Sequence, residues 1–367
     1  NIVPQSYALF RLFSLILPGE KAPDMKFDIA RQPLVPAFLT LAALAVVAMW
    51  NAGGTAADTA ALAGHAAETV GTGRNAAGAL AVSSPGELLA QFQEAHPVWA
   101  RWIAGLLMLF TGMSVGRLTV RYNLYSVGTC LAIPLYGAIA CGLAVGSDYL
   151  TAFAASALLA LATKNFCRSY CNGFGFDAIF RASLYIGLLP LVATAAAPLL
   201  VLLPLAVMLF RRTLREVTVA VAGLLLPVLT LCYVNWGAGG GFLAPVAELG
   251  SAFVAGMPLS LFLSTPVQSL VLLGAVFILD LMALLFFLSD IHALGTKPRL
   301  IFIFNISVLL LTAAVLCGPA ATPGTVALAA VPSAVLLPFM FVRIHRAIAL
   351  PLYLLLLAAA VISTVLQ

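Results

Sequence analysis

Charge is what this chain has least of. Asp, Glu, Lys and Arg make up 8% of its 367 residues, against roughly 25% in soluble domains. A soluble body of that size could not cover its surface with so few charges. No long polar stretch offers a separate soluble domain. Several catalytic signatures are missing as well. There is no GxxxxGK followed by Ser or Thr, so no P-loop ATPase, and HExxH does not occur. None of the four histidines, His65, His96, His292 and His345, lies inside an apolar run. That argues against a transmembrane haem with two histidine ligands.

Cysteine is sparse too. Of the six, only Cys167 and Cys171 stand outside the apolar runs and their edges, four apart beside Lys164 and Arg168. Two thiols cannot complete a four-ligand zinc site, and the pair reads as reduced cysteines packed near a helix end. No metal and no cofactor is expected. The chain is nevertheless basic, with 18 Lys and Arg against 13 Asp and Glu. These cations stand in small groups at the ends of apolar runs, which is the pattern of membrane topology signals and not of a nucleic-acid-binding face.

What the chain has in abundance is apolar sequence, 63% of all residues. An apolar run of about 20 residues spans a bilayer. Such runs occur near 33–50, 98–116, 127–145, 148–163, 217–236, 267–288, 300–317, 325–342 and 348–366. The stretch 182–210 is interrupted by Pro190, Pro198 and Pro204 and reads as a pair of short helices. The expectation is an all-α polytopic transmembrane bundle of about eleven helices, with nine to twelve as the range.

The cations orient it. With the N-terminus in the cytoplasm, every Lys and Arg except Arg74 and Arg101 falls on the cytoplasmic side, as the positive-inside rule requires. The C-terminus is then external, and the protein is placed in a bacterial inner (cytoplasmic) membrane. Residues 1–32 form a cytoplasmic or interfacial segment. Its apolar piece 7–17 is too short to span, no small-residue cleavage site is seen, and Met25 offers an alternative start. Residues 33–367 form a single transmembrane domain, with a long external loop at 51–97 and a second external or re-entrant segment at 237–266. Within the loop, 86–96 alternates apolar and polar residues at helical spacing and is expected to lie on the surface.

Four places could carry chemistry. Asp280 is the one carboxylate deep in a span, where a charge costs about 2.5–3.5 kcal/mol on insertion scales. It is either a proton or cation site, a contact to an inter-helix ligand, or a carboxyl neutralised by protonation or by a neighbouring helix. Arg211, Arg212 and Arg215, with Glu216, form the densest charge cluster. That cluster is either a lipid or phosphate headgroup site or a topology anchor with a local ion pair. Asp58, His65 and Glu68 would share one helical face. A solvated amphipathic helix is preferred there over a metal site or an acid/base pair. The pentapeptide 237–241 after Trp236 reads as the start of a loop at the interface.

The stretches TKNFCRSYCNGFGFDAIFRASLYIGLLPL (163–191), RRTLREVTVAVAGLLLPVLTLCYVNW (211–236) and FVRIHRAIALPLYLLLL (341–357) resemble an uncharacterised family of polytopic inner-membrane proteins from Bacteroidota. The likeness covers roughly two-thirds of the chain, and Arg215-Glu216 followed by Gly223 and Pro227 is its most specific part. The stretch 178–236 is more weakly similar to the GT-C class of lipid-sugar glycosyltransferases. That second resemblance implies an acidic residue of the first external loop as base or metal holder, here Asp58 or Glu68. It also implies a polyprenyl-phosphate-linked sugar as partner.

Three functions are carried forward. The first is a non-enzymatic component of a cell-envelope assembly or export pathway, working with membrane lipids and other membrane or envelope proteins in a complex. The second is a GT-C-like glycosyltransferase with an outward cavity lined by Asp58, Glu94 or His96 above the short helices near 182–210. The third is a proton-coupled transporter using Asp280, although no internal repeat is visible.

Overall fold

The computed structural model describes residues 29–51, 82–143, 148–171, 175–254 and 257–366. All its regular elements are helices, and no strand occurs among the described residues. Among the described residues, seven helical segments are long and apolar enough to cross a membrane: Pro97–Arg121, Tyr149–Cys171, Leu214–Gly237, Val267–Asp290, Thr296–Leu316, Pro323–Arg343 and Arg346–Val365. The architecture is that of a helical integral membrane protein.

Several of the helices are long. Helix α1 (Leu34–Asn51) is followed by the amphipathic α2 (Pro85–Ala95), none of whose residues is buried. Helix α3 (Pro97–Arg121) runs antiparallel to α1, with Gly105 against Met49 and Gly112 against Leu41. Helices α5 (Tyr149–Cys171) and α6 (Phe176–Val192) pack side by side, and α6 meets α8 (Leu214–Gly237) at an unusually close seam. A Cβ on Gly187 would stand 2.3 Å from the Leu224 carbonyl oxygen, and one on Gly223 would stand 2.7 Å from that of Phe180. Small residues let membrane helices approach this way.

The interior is made of shorter pieces. Helix α4 (Ala132–Leu143) is buried at every residue. At 1.5 Å per residue its twelve residues reach only about 18 Å, well short of the ~30 Å hydrocarbon core. Such an element is tolerated because protein, not lipid, surrounds it: α1, α3 and the helices Ala330–Arg343 and Arg346–Val365 all pack on it. Its last carbonyls, which have no helical partner, are served by α14 (Arg346–Val365). Ser363 donates to the Gly142 carbonyl at 3.0 Å, and Thr364 donates to that of Cys141 at 3.2 Å.

The run expected over 182–210 is α6, then a 3-10 segment Thr194–Val201 that continues as α7 (Leu202–Leu209). The same change of helix type recurs at Pro323–Ala329, which continues as α13 (Ala330–Arg343). Each junction carries two prolines six apart, Pro198 and Pro204 in one and Pro332 and Pro338 in the other. Proline withholds a backbone donor and clashes with the preceding turn. Between these elements lie two short helices, α9 (Ala244–Val254) and α10 (Ser260–Ser264), in the segment expected to be external or re-entrant. The long α11 (Val267–Asp290) and α12 (Thr296–Leu316) follow.

The two ends of the bundle differ chemically. All four tryptophans, Trp50, Trp99, Trp102 and Trp236, are exposed near one end, as in the aromatic belt of a membrane interface. Arg117, Arg121, Lys164, Arg168, Arg181, Arg211, Arg215, Lys297 and Arg343 stand toward the other end of the same helices. These are called the tryptophan end and the basic end.

Candidate functional site: a buried carboxylate beneath an acidic cavity

Most of α11 faces outward; Phe277, Ile278, Leu281, Met282 and Leu285 are all exposed. Its buried residues form one stripe: Ser269, Leu272, Val276, Asp280, Ala283 and Phe287. That spacing of three and four is a single helical face, turned toward α13. Asp280 lies on it about 20 Å from the tryptophan end of α11 and about 15 Å from the basic end. It is 2% exposed. Ser333 of α13 donates a 2.5 Å hydrogen bond to Asp280 Oδ2, while Asp280 Oδ1 is buried without a partner.

A second polar group stands on the next helix. Asn305 of α12, also buried, donates from Nδ2 to the Pro332 carbonyl at 2.8 Å, and its Oδ1 has no partner. Asp280, Asn305 and Ser333 each sit near the centre of their own helical segments. Three helices thus bring a carboxyl, an amide and a hydroxyl to one depth, and two of their oxygens remain unsatisfied. Uncompensated buried oxygens cost free energy. A proton, a small cation or a ligand donor would relieve that cost.

Toward the tryptophan end lies a cavity of about 330 Å³, and of these three helical segments only Pro323–Arg343 reaches its wall, at Gly324 and Thr325. Glu87, Asp148 and Glu248 line it, together with Thr151, Thr194, Thr322 and Thr325. Two of its walls are the starts of the 3-10 segments at 194 and 323. From Thr325 the chain descends about 14 Å to Ser333. Helix α2 roofs one side. It begins with a reciprocal cap in which the Glu87 amide donates to Ser84 Oγ and the Ser84 amide donates to Glu87 Oε2, both at 3.3 Å. Gln93 accepts from the Leu150 amide at 3.0 Å, tying α2 to the start of α5. Gly86 permits the close approach, since a Cβ there would meet the Val192 carbonyl oxygen at 2.3 Å. Beside the cavity, buried Asn235 donates to the Gly241 carbonyl and accepts from the Val82 amide. The loop start expected at 237–241 is therefore a folded-back turn. Among the described residues no group of three His, Cys, Asp or Glu has a geometry that could hold a metal ion.

The other residues singled out from the sequence separate from this site. Asp58 and Glu68, with His65, lie outside the described residues. The cavity is lined by Glu87, and neither Glu94 nor His96 is among its walls. The basic turn lies at the far end. Arg212 is drawn inward, with Nη1 3.1 Å from Glu216 Oε1 and Nη2 donating to Ser169 Oγ at 2.7 Å. Glu216 also caps α8 by accepting from the Thr213 amide at 2.9 Å. Arg211 holds a left-handed φ of 49° in the turn, and it and Arg215 are exposed. Sequence reasoning missed the partners of Asp280. Their signal was the rarity of Ser and Asn inside apolar runs, where such side chains turn inward.

These features define a class: a helical membrane protein with a buried polar cluster at mid-helix and an acidic cavity toward its tryptophan end. No known protein family, curated protein or solved structure matches the chain.

Proposed function

We propose that the chain is a proton-coupled transporter for a small cationic or polar solute, with Asp280 as the coupling site. The observation that carries this reading is the buried pair of Asp280 and Ser333, with one carboxylate oxygen unsatisfied at mid-depth. Intramembrane carboxylates mark ion and proton pathways. Transporter sites form near mid-membrane where helices are interrupted, and Ser333 lies on the interrupted segment Pro323–Arg343. The acidic cavity supplies an entrance that concentrates cations. In this reading the chain passes through a bacterial inner membrane about eleven times, α4 completing one passage together with the turns before it, and the basic end faces the cytoplasm. It is preferred to a passive component of an envelope-assembly complex because the polar groups are gathered inside the bundle, not on its rim.

The test is accumulation of a panel of organic cations by proteoliposomes under a proton gradient. Asp280→Asn should abolish accumulation while the protein stays folded and monodisperse. Glu248→Gln should raise the half-saturating concentration without abolishing uptake. Undiminished accumulation by Asp280→Asn removes the reading.

One observation favours glycosyl transfer from a polyprenyl-phosphate sugar instead. The cavity opens at the tryptophan end above the junction at 192–195, where that chemistry would need it. In that case Glu87→Gln or Glu248→Gln would abolish activity and Asp280→Asn would not.

A further inference from the structure

The basic end holds a feature that transport does not use. Arg117 and Arg121 are four apart on α3, and Lys164 and Arg168 are four apart on α5. The two helices pack against each other, and Arg117, Arg121 and Arg168 all lie within electrostatic reach of Lys164. Like charges at this spacing repel along each helix, and here two such pairs meet across one seam. Among the described residues, the carboxylates of this end are engaged elsewhere: Asp177 with Arg181, Glu216 with Arg212 and Asp290 with Arg343.

Two ordinary explanations fall short. Cations near a helix C-terminus are favoured by the helix dipole, but that effect fades within the last turn. Lys164 lies about two turns before the end of α5 at Cys171. A topology anchor needs only net positive charge on one side. It does not need three arginines converging on one half-buried lysine. The seam also carries an aromatic donor. The Arg121 guanidinium lies 6.0 Å from the centre of the Tyr122 ring. Burial, the largest cause, raises the Tyr122 hydroxyl above its ordinary pKa and keeps it protonated.

We propose that the α3–α5 seam, formed by Arg117, Arg121, Lys164 and Arg168, is a binding site for a phosphate-bearing anion on the cytoplasmic face. The guanidinium forks and the lysine suit a phosphomonoester or phosphodiester. Basic pockets between transmembrane helices hold anionic lipid headgroups in the same way. The site is separate from Asp280 and stands whether or not transport does. It also differs from the Arg211–Glu216 turn, where Arg212 is already engaged by Glu216 and Ser169.

The test uses the full chain in bilayers of phosphatidylcholine alone, or with a minority of phosphatidylglycerol, and measures thermal unfolding. In phosphatidylcholine alone, Lys164→Gln should melt above the wild type, because it relieves repulsion. With phosphatidylglycerol the wild type should gain several degrees and Lys164→Gln little, so the order reverses. Arg117→Gln should behave like Lys164→Gln, and Arg215→Gln should gain as the wild type does. Inorganic pyrophosphate added to the phosphatidylcholine sample separates the sources. A gain with pyrophosphate assigns a soluble phosphate compound, and a gain with phosphatidylglycerol alone assigns a lipid headgroup. The wild-type arm decides by itself if the variants fail to fold. No gain from either anion, or an equal gain in wild type and Lys164→Gln, overturns the proposal.

Discussion

Helices α8 and α11 are long, continuous and largely outward-facing, whereas α4 and α13 are short or interrupted and almost wholly buried. The first pair is held by a narrow stripe each. The second pair is surrounded by protein and has its backbone served by side chains of its neighbours. Tyr125 donates to the Val335 carbonyl of α13 at 2.7 Å, and Asn305 donates to that of Pro332. Lipid demands continuous helices. A protein environment permits broken ones, and it is the broken ones that bring polar groups to mid-depth. Length and apolarity therefore find the periphery first, while the chemistry gathers in the middle.

Five substitutions, one of them a matched control, sharpen that contrast. The largest effect should come from Glu216→Ala at the foot of α8. It strands Arg212, whose side chain is 10% exposed, and losing one partner of a buried ion pair costs about 3–5 kcal/mol. Equilibrium unfolding in mixed micelles measures it, and a loss below about 1 kcal/mol would mean that the stripe alone holds α8. Next is Gly187→Ala, expected to cost about 1–3 kcal/mol by overpacking, because its Cβ would meet the Leu224 carbonyl. The matched control, Gly274→Ala on α11, faces open space and should be neutral or slightly stabilising. Tyr125→Phe should cost about 0.5–1.5 kcal/mol by losing its hydrogen bond to the Val335 carbonyl in the core. The smallest effect belongs to Leu225→Ala on the outer face of α8, within about 0.5 kcal/mol. A larger value would show that this face meets protein instead of lipid.

Much of the fold could be read from the sequence. The apolar runs coincide with helices, and the proline-broken stretch at 182–210 resolves into α6 and the composite α7. Boundaries were harder to read. Among its described residues the run 127–145 contains only the twelve-residue α4, because residues before Ala132 form turns that the fold satisfies by tertiary contacts, such as the Cys130 amide donating to the Gln32 carbonyl. The candidate site was half legible. Asp280 stood out because a lone carboxylate in an apolar run is conspicuous. Its partners did not, since Ser333 and Asn305 are distant in sequence and uncharged. The basic seam was hidden for a related reason. Arg117, Arg121, Lys164 and Arg168 each satisfy the positive-inside pattern, and only the packing of α3 on α5 makes them one cluster. The Arg211–Glu216 turn drew attention by density along the chain, and within it Arg212 pairs with Glu216 while Arg211 and Arg215 are exposed.

The central claim is that Asp280, held by Ser333 in the buried middle, exchanges a proton during function. Infrared difference spectroscopy of the reconstituted protein tests it most directly. The account predicts a carboxyl stretching band that changes when an organic cation is added. That band should be lost in Asp280→Asn and shifted in Ser333→Ala. A difference spectrum unaltered by Asp280→Asn would contradict it.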